Sequence, residues 1–251
     1  MKNRSHRTIK TQKRQQGFTL VEIMVAIALS LLLIAGVIQI YISSKESYRV
    51  QSELARLQEN QRIAMEFLQN NIQQAGFKPY GAPPINNRVT VDDGDNDGSD
   101  SITVRFTSPT DCLGQATPDG IAVNTFFIQQ NADGFGQLMC RGNGNALAQP
   151  IADGIESMQI LLGDNSNFAN DTPAAQTPDR YVNASTLDNT LNVVSVRIAL
   201  LTRTEDPIKQ QPVTETFTIL DTIFSTAGNP DQFRRVKRQV VTTTVPLRNN
   251  V

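Results

Sequence analysis

Between residues 18 and 42 runs FTLVEIMVAIALSLLLIAGVIQIYI, 25 residues with a single charge, Glu22. As a helix rising about 1.5 Å per residue it would be roughly 37 Å long, enough to cross the hydrocarbon core of a bilayer. A run like this leaves the backbone little choice. In lipid each N–H and C=O must find its partner within the same segment, so the run must be helical. Six cations (Lys2, Arg4, Arg7, Lys10, Lys13, Arg14) and no acid occupy the first 17 positions. The positive-inside rule keeps that leader cytoplasmic and places everything after residue 42 on the far side. A secretory signal peptide would show a shorter apolar region closed by a small-residue cleavage site. Here the run is longer and continues into further helical sequence.

Charge is balanced over the 251 residues, 23 basic against 24 acidic, but not along the chain. Without the leader's six cations, 17 basic residues face 24 acidic ones, a net charge of −7. That argues against a dedicated nucleic-acid binder, whose affinity rests on phosphate neutralisation. The one histidine, His6, also lies in the leader. A chain cut after the leader has no imidazole for a triad, a proton shuttle or a zinc site, so no enzyme is expected.

Glu22 needs a reason, since a carboxylate inside a membrane helix costs about 2.5 kcal/mol at the centre and less near an end. A cut between Gly17 and Phe18 would supply one. The new α-amine of Phe18 would precede Glu22 by four residues, on the same helical face. A first-turn carboxylate also suits the positive end of the helix dipole. The amine could belong to the same chain or to a neighbour, in which case Glu22 sets register in an assembly.

Residues 43–75 contain no proline or glycine and extend the helix to about residue 75, for a total of roughly 87 Å. Val50, Leu54, Leu57, Ala64, Met65, Leu68 and Ile72 form one stripe at helical spacing. Gly76, with Pro79 soon after, is a plausible stop. Ile63 and Phe67 lie off the stripe and allow two readings, a wider buried face or contact with a neighbouring subunit.

Past Gly76 short β-like runs alternate with Gly, Asn, Asp and Pro clusters. The strand candidates are residues 101–106, 121–130, 135–140, 155–163, 193–201, 214–220 and 234–247, with a turn at NADG. Val194, Val196, Ile198 and Leu200 are expected on one face. Residues 164–180 are polar and read as a mobile loop. The class is α+β, a long N-terminal helix whose first half is transmembrane, packed on a largely antiparallel sheet domain. The divisions are 1–17 leader, 18–76 helix with its span at 18–42, and 77–251 domain.

Three features of the domain invite chemistry. Cys112 and Cys140 are the only cysteines. In an oxidising compartment an even pair favours a disulfide, with two buried free thiols as the other reading. In VDDGDNDGSDS, Asp93, Asp95 and Asp97 before Gly98 give the D-x-D-x-D-G half of a calcium loop. The bidentate Glu of an EF-hand is missing, and a solvated acidic turn explains the same residues. RRVKR (234–238) reads as a charged, solvated edge strand that resists aggregation.

The basic leader, Gly17, Phe18, Thr19, Leu20, Glu22 and the apolar helix resemble the type IV prepilin signature. That resemblance implies cleavage after Gly17 by a prepilin peptidase, N-methylation of Phe18, and Glu22 as the assembly carboxylate. One departure is Gln39, where many major pilins carry proline. Further stretches, among them RIAMEFLQNNIQQAGF, GSDSITVRF, DCLGQ, LMCRG, ADGIESMQILLG and NVVSVRIALL, resemble the PilW-type minor pilins. The resemblance implies a pilin-like fold and a subunit of a minor-pilin complex that primes pilus assembly at the tip. Twitching motility and adhesion would follow downstream. It implies as partners the prepilin peptidase, other minor pilins, the major pilin and a tip adhesin. Location would be the inner membrane, single-pass with a periplasmic domain, and then the fibre. The alternatives are a J-like minor pseudopilin of a type II secretion system and a membrane-anchored adhesin.

Overall fold

With no proline before residue 79, one helix, α1 (Leu20–Gln74), runs for 55 residues. The computed structural model describes residues 17–94, 98–145, 147–166, 177–187 and 190–249, in two units, Met1–Tyr48 and Arg49–Val251. In the first unit α1 contains a window of mean hydropathy 2.7, long and apolar enough to cross a membrane. Ser30 lies within this span, and its hydroxyl donates to the Ala26 carbonyl at 2.7 Å, so the polar atom is satisfied inside the helix.

In the second unit the rest of α1 is the spine of a β domain. Glu53, Leu57, Gln61, Ala64, Met65, Leu68 and Ile72 are buried, while Val50 and Leu54 are only half-buried. The buried stripe therefore includes two polar residues in place of two apolar ones. Both are satisfied from far along the chain. The Glu53 carboxylate accepts from the Asp206 N–H at 3.1 Å, and Gln61 Nε2 donates to Thr202 Oγ1 at 2.6 Å. Ile63 and Phe67 pack against the core, and the Phe67 ring meets Phe126 edge-on at 5.9 Å. Of their two readings, the wider buried face is the one formed.

One antiparallel sheet follows sequence order, β1 (Val89–Asp92), β2 (Ser101–Thr107), β3 (Ile121–Gln130), β4 (Gly136–Arg141) and β5 (Gln149–Asp153). A second is built from β6 (Ile155–Asp164), β7 (Arg180–Val182), β8 (Val193–Arg203) and β11 (Arg238–Pro246), in the order β11-β8-β6-β7 and antiparallel throughout. A hairpin, β9 (Thr216–Ile219) and β10 (Thr222–Ser225), forms a separate two-stranded sheet. β8 is buried on both faces. Val196, Ile198 and Leu200 join the main core, and Ala199 and Leu201 meet Ile219 and Phe217 of the hairpin.

Several expectations change here. Val193, not Val194, reaches the main core, because a register shift at Gly163/Asp164 leaves Val194 unpaired and reverses the alternation. The strand expected at residues 214–220 is shorter, Thr216–Ile219, and forms the first half of a hairpin that turns at Leu220, which has φ +55°. β1, β5 and β7 lack a clear sequence signal; β5 includes Pro150 and forms the sheet's edge. Arg238 is no solvated guard. Its side chain is fully buried against Glu156.

The end of α1 is closed from the far end of the chain. Asn249 Nδ2 donates to the carbonyls of Gln73 and Ala75, both at 3.3 Å. Gly76 has φ +79°, and a Cβ there would lie 2.7 Å from the Asn249 carbonyl oxygen. Gly76→Ala is therefore expected to destabilise the fold by about 1–3 kcal/mol, measured as a lower urea midpoint for the solubilised full chain.

Candidate functional site

At the head of α1, Gly17, Phe18 and Thr19 are non-helical and the helix starts at Leu20. The Thr19 hydroxyl accepts from the Glu22 N–H at 3.3 Å, and the Thr19 carbonyl accepts from the Ile23 N–H at 3.2 Å. Thr19 is thus the N-cap, and T-x-x-E is half of a capping box that went unread in the sequence. It gives Glu22 a local reason to stand three residues after the cap, at the positive helix end. Phe18 lies ahead of the cap, so helical spacing does not place it over Glu22. The two nonetheless border one apolar groove along α1 with Ile23, Ala26, Ile27 and Ser30. Phe18 and Glu22 are both exposed, and residues 1–16 of the leader lie outside the described residues.

In the domain, Cys112 and Cys140 form a disulfide with Cα atoms 6.7 Å apart. Of the two sequence readings for these cysteines, the bridge is the one formed. It ties the loop after β2 to the end of β4, and neighbouring groups fix the same corner. Asp111 is buried, and its Oδ1 accepts from the N–H groups of Leu113 and Gln115 at 2.9 and 3.0 Å. Its Oδ2 accepts from the Gly144 N–H at 2.9 Å. A Cβ on Gly142 would meet that oxygen at 2.0 Å, so a larger residue there would displace the carboxylate. Asn124 accepts from the Cys112 N–H and donates to Asn71 Oδ1 on α1, both at 3.0 Å. DCLGQ and CRGNG are two halves of one polar knot. Their shared signal was an Asp among turn residues facing a G-x-G.

Only part of the acidic stretch lies among the described residues. Asp93 Oδ2 accepts from the Ser185 N–H at 3.2 Å, while Asp95 and Asp97 lie outside the described residues. Among the described residues no cluster of three or more His, Cys, Asp or Glu is arranged to hold a metal. Asp100 is the carboxylate with a visible role. It is buried, and its oxygens accept from Ile160 N–H at 2.7 Å and Gly94 N–H at 3.2 Å. Ser99 Oγ accepts from Met158 N–H at 2.8 Å, and Met158 O accepts from Asp100 N–H at the same distance. Side chains of GSDS thus take the place of a ladder between the start of β2 and β6. Burial raises the Asp100 carboxyl to about 6, opposed by its two N–H donors and reinforced by Asp93 and Asp221.

Two family models match the chain. The one described as Type IV Pilus-assembly protein W matches residues 125–249, and the Prokaryotic N-terminal methylation motif matches residues 12–38. No curated protein matches. Among solved structures, the type IV-like pilin TTHA1219 from Thermus thermophilus is 12% identical, with 78% of this chain and 97% of that one covered and a TM-score of 0.43. A chain of the GspK-GspI-GspJ complex from the enterotoxigenic Escherichia coli Type 2 Secretion System is 14% identical, covering 59% of this chain and 88% of that one, with a TM-score of 0.35.

Two outcomes follow from this geometry. Replacing both cysteines by serine is expected to cost about 2–4 kcal/mol of unfolding free energy, read from urea midpoints. Asp100 holds its proton more tightly folded than unfolded. Its stabilising contribution is therefore absent at neutral pH, grows as pH falls through about 6, and is complete below the unfolded value of 3.8. Between pH 7 and 5 the wild type should gain about 1 kcal/mol over Asp100→Asn in the same denaturation series.

Proposed function

We propose that this chain, which matches the prokaryotic N-terminal methylation motif over residues 12–38 and the Type IV Pilus-assembly protein W family over residues 125–249, works as a non-catalytic minor-pilin subunit of a pilus-priming complex. In this reading a prepilin peptidase cuts after Gly17 and methylates Phe18. The apolar part of α1 is then drawn from the inner membrane into a fibre, with the β domain on the periplasmic side. Other minor pilins, the major pilin and a tip adhesin are its partners. Twitching motility and surface adhesion follow from pili that have been primed. The observation that carries the proposal is the match of residues 125–249 to the Type IV Pilus-assembly protein W family, which favours a pilus over a type II pseudopilus. The disulfide fits an oxidising compartment beyond the membrane.

Glu22 is assigned the docking role. A carboxylate in the first turn of an apolar helix is costly in lipid and cheap once it meets an amine. Cleavage creates such an amine on Phe18, at the rim of the same groove, and on every neighbouring subunit. Glu22→Ala is expected to be cut and inserted normally, both read by immunoblot of membrane fractions. It should nonetheless fail to restore surface pili, counted by electron microscopy, to a strain lacking the gene. Wild-type pilus number in that strain would refute the role of Glu22. Intact pili combined with lost protein secretion, in a strain lacking the whole gene, would refute the pilus reading itself.

A further inference from the structure

At one end of the second sheet two arginines face each other across a strand pair. Arg203 of β8 is the direct register partner of Arg238 of β11. Like charges placed this way normally destabilise a sheet. A register shift in β6 between Ile155 and Ser157 leaves Glu156 unpaired, and its carboxylate serves both cations. Arg238 donates from Nε and Nη2 to Glu156, the latter at 2.8 Å, and Arg203 Nη1 lies 3.4 Å from the same carboxylate. Both arginine side chains are buried, 2% and 0% exposed. One carboxylate for two guanidiniums leaves a net positive charge in a desolvated place.

The cluster also leaves donors over. Arg203 Nε and Arg238 Nη1 are buried without a hydrogen-bond partner among the described residues. Arg203 Nη2 reaches the Gly134 carbonyl at 3.3 Å, and its guanidinium lies over the rings of Phe135 and Phe233, at 4.3 and 4.8 Å. Beside it opens a cavity of about 260 Å³, lined by Arg203, Glu156, Phe224, Asn229 and Phe233 among others. Burial, opposed by Glu156 and reinforced by Arg238, lowers the Arg203 guanidinium from its ordinary value, as expected where a cation lacks part of its counter-charge.

We propose that this cavity receives a single carboxylate, which pairs with Arg203 and neutralises the excess charge of the Arg203–Glu156–Arg238 cluster. The volume is below the ~300–1,000 Å³ of sites for drug-sized ligands, so the occupant is one small group and not a cofactor. A monoanion balances the cluster, whereas a dianionic phosphate would leave the opposite charge buried. The planar guanidinium fork suits a carboxylate, and the aromatic walls suit the methylene carbons that carry it. Two sources share this chemistry, a free small carboxylate and an acidic side chain of a partner protein. The inference does not rest on the assembly role of Glu22.

The test follows the Arg203 Nε–Hε resonance of the solubilised full chain by NMR, with acetate, inorganic phosphate and an acetylated, amidated Ala-Ala-Glu-Ala-Ala peptide as probes. Acetate, the peptide or both should give a saturable shift, at least tenfold tighter than phosphate. The shift should be lost in Asn229→Trp, which fills the cavity but leaves the charged cluster intact and keeps its wild-type melting temperature. Tighter binding of the peptide than of acetate assigns the site to a partner's side chain; the reverse assigns it to a free carboxylate. No saturable shift with either, phosphate binding as tight as theirs, or an unchanged shift in a folded Asn229→Trp would overturn the proposal.

Discussion

The β domain depends on α1 keeping one rotational register against two sheets at once. Leu68 and Ile72 are fully buried in the core shared by both. The polar residues around that stripe act as locating pins. Asn71 reaches Asn124 on β3, Gln61 reaches Thr202 on β8, and Gln69 reaches Thr243 on β11. A rotation of one residue, about 100°, would break all three and expose the apolar stripe. The hydrophobic effect supplies most of the attraction, and the amides select one alignment from the several that burial alone would accept.

The same division of labour recurs where the sheets meet and where the disulfide sits. At both places a buried carboxylate takes backbone N–H groups that no strand partner serves. Asp100 joins the start of β2 to β6, and Asp111 holds the loop after β2 against Gly144. Such joints allow strands to meet at an angle a regular ladder would not tolerate. They also commit the carboxylates of Asp100 and Asp111 to backbone donors. Within the acidic run of residues 92–100, Asp100 is committed to the Ile160 and Gly94 N–H groups.

Much of this was legible in the sequence. The membrane-length helix, its stop at Gly76, the α+β class and the strands β2, β3, β4, β6, β8 and β11 follow from periodicity and turn residues. What escaped was set by distant partners. Glu53 and Gln61 fall outside the apolar stripe, and their partners, Asp206 and Thr202, lie 153 and 141 positions away. Arg238 looked solvated because a charge run usually is, and Glu156, 82 positions earlier, carries no local mark of its destination. The β6–β8 register shift moved Val193 inward without any sign in the alternation of β8 itself. At the head of α1 the reverse holds. T-x-x-E was a purely local signal, hidden by the interest of the charge it contains.

Asn249 gives the chain an order of events. The helix it caps is made first, yet its last carbonyls find their donor only 174 to 176 residues later. β11, the other late element, must also arrive before Gln69 is satisfied. Long loops have to close before these contacts repay the entropy, so folding should be slow by the standards of a domain this size. The disulfide, by contrast, spans a separation of only 28 residues and can form early. During that interval α1 presents an uncovered apolar stripe, and whatever shields it then is as much a part of this protein's life as the partners it meets when folded.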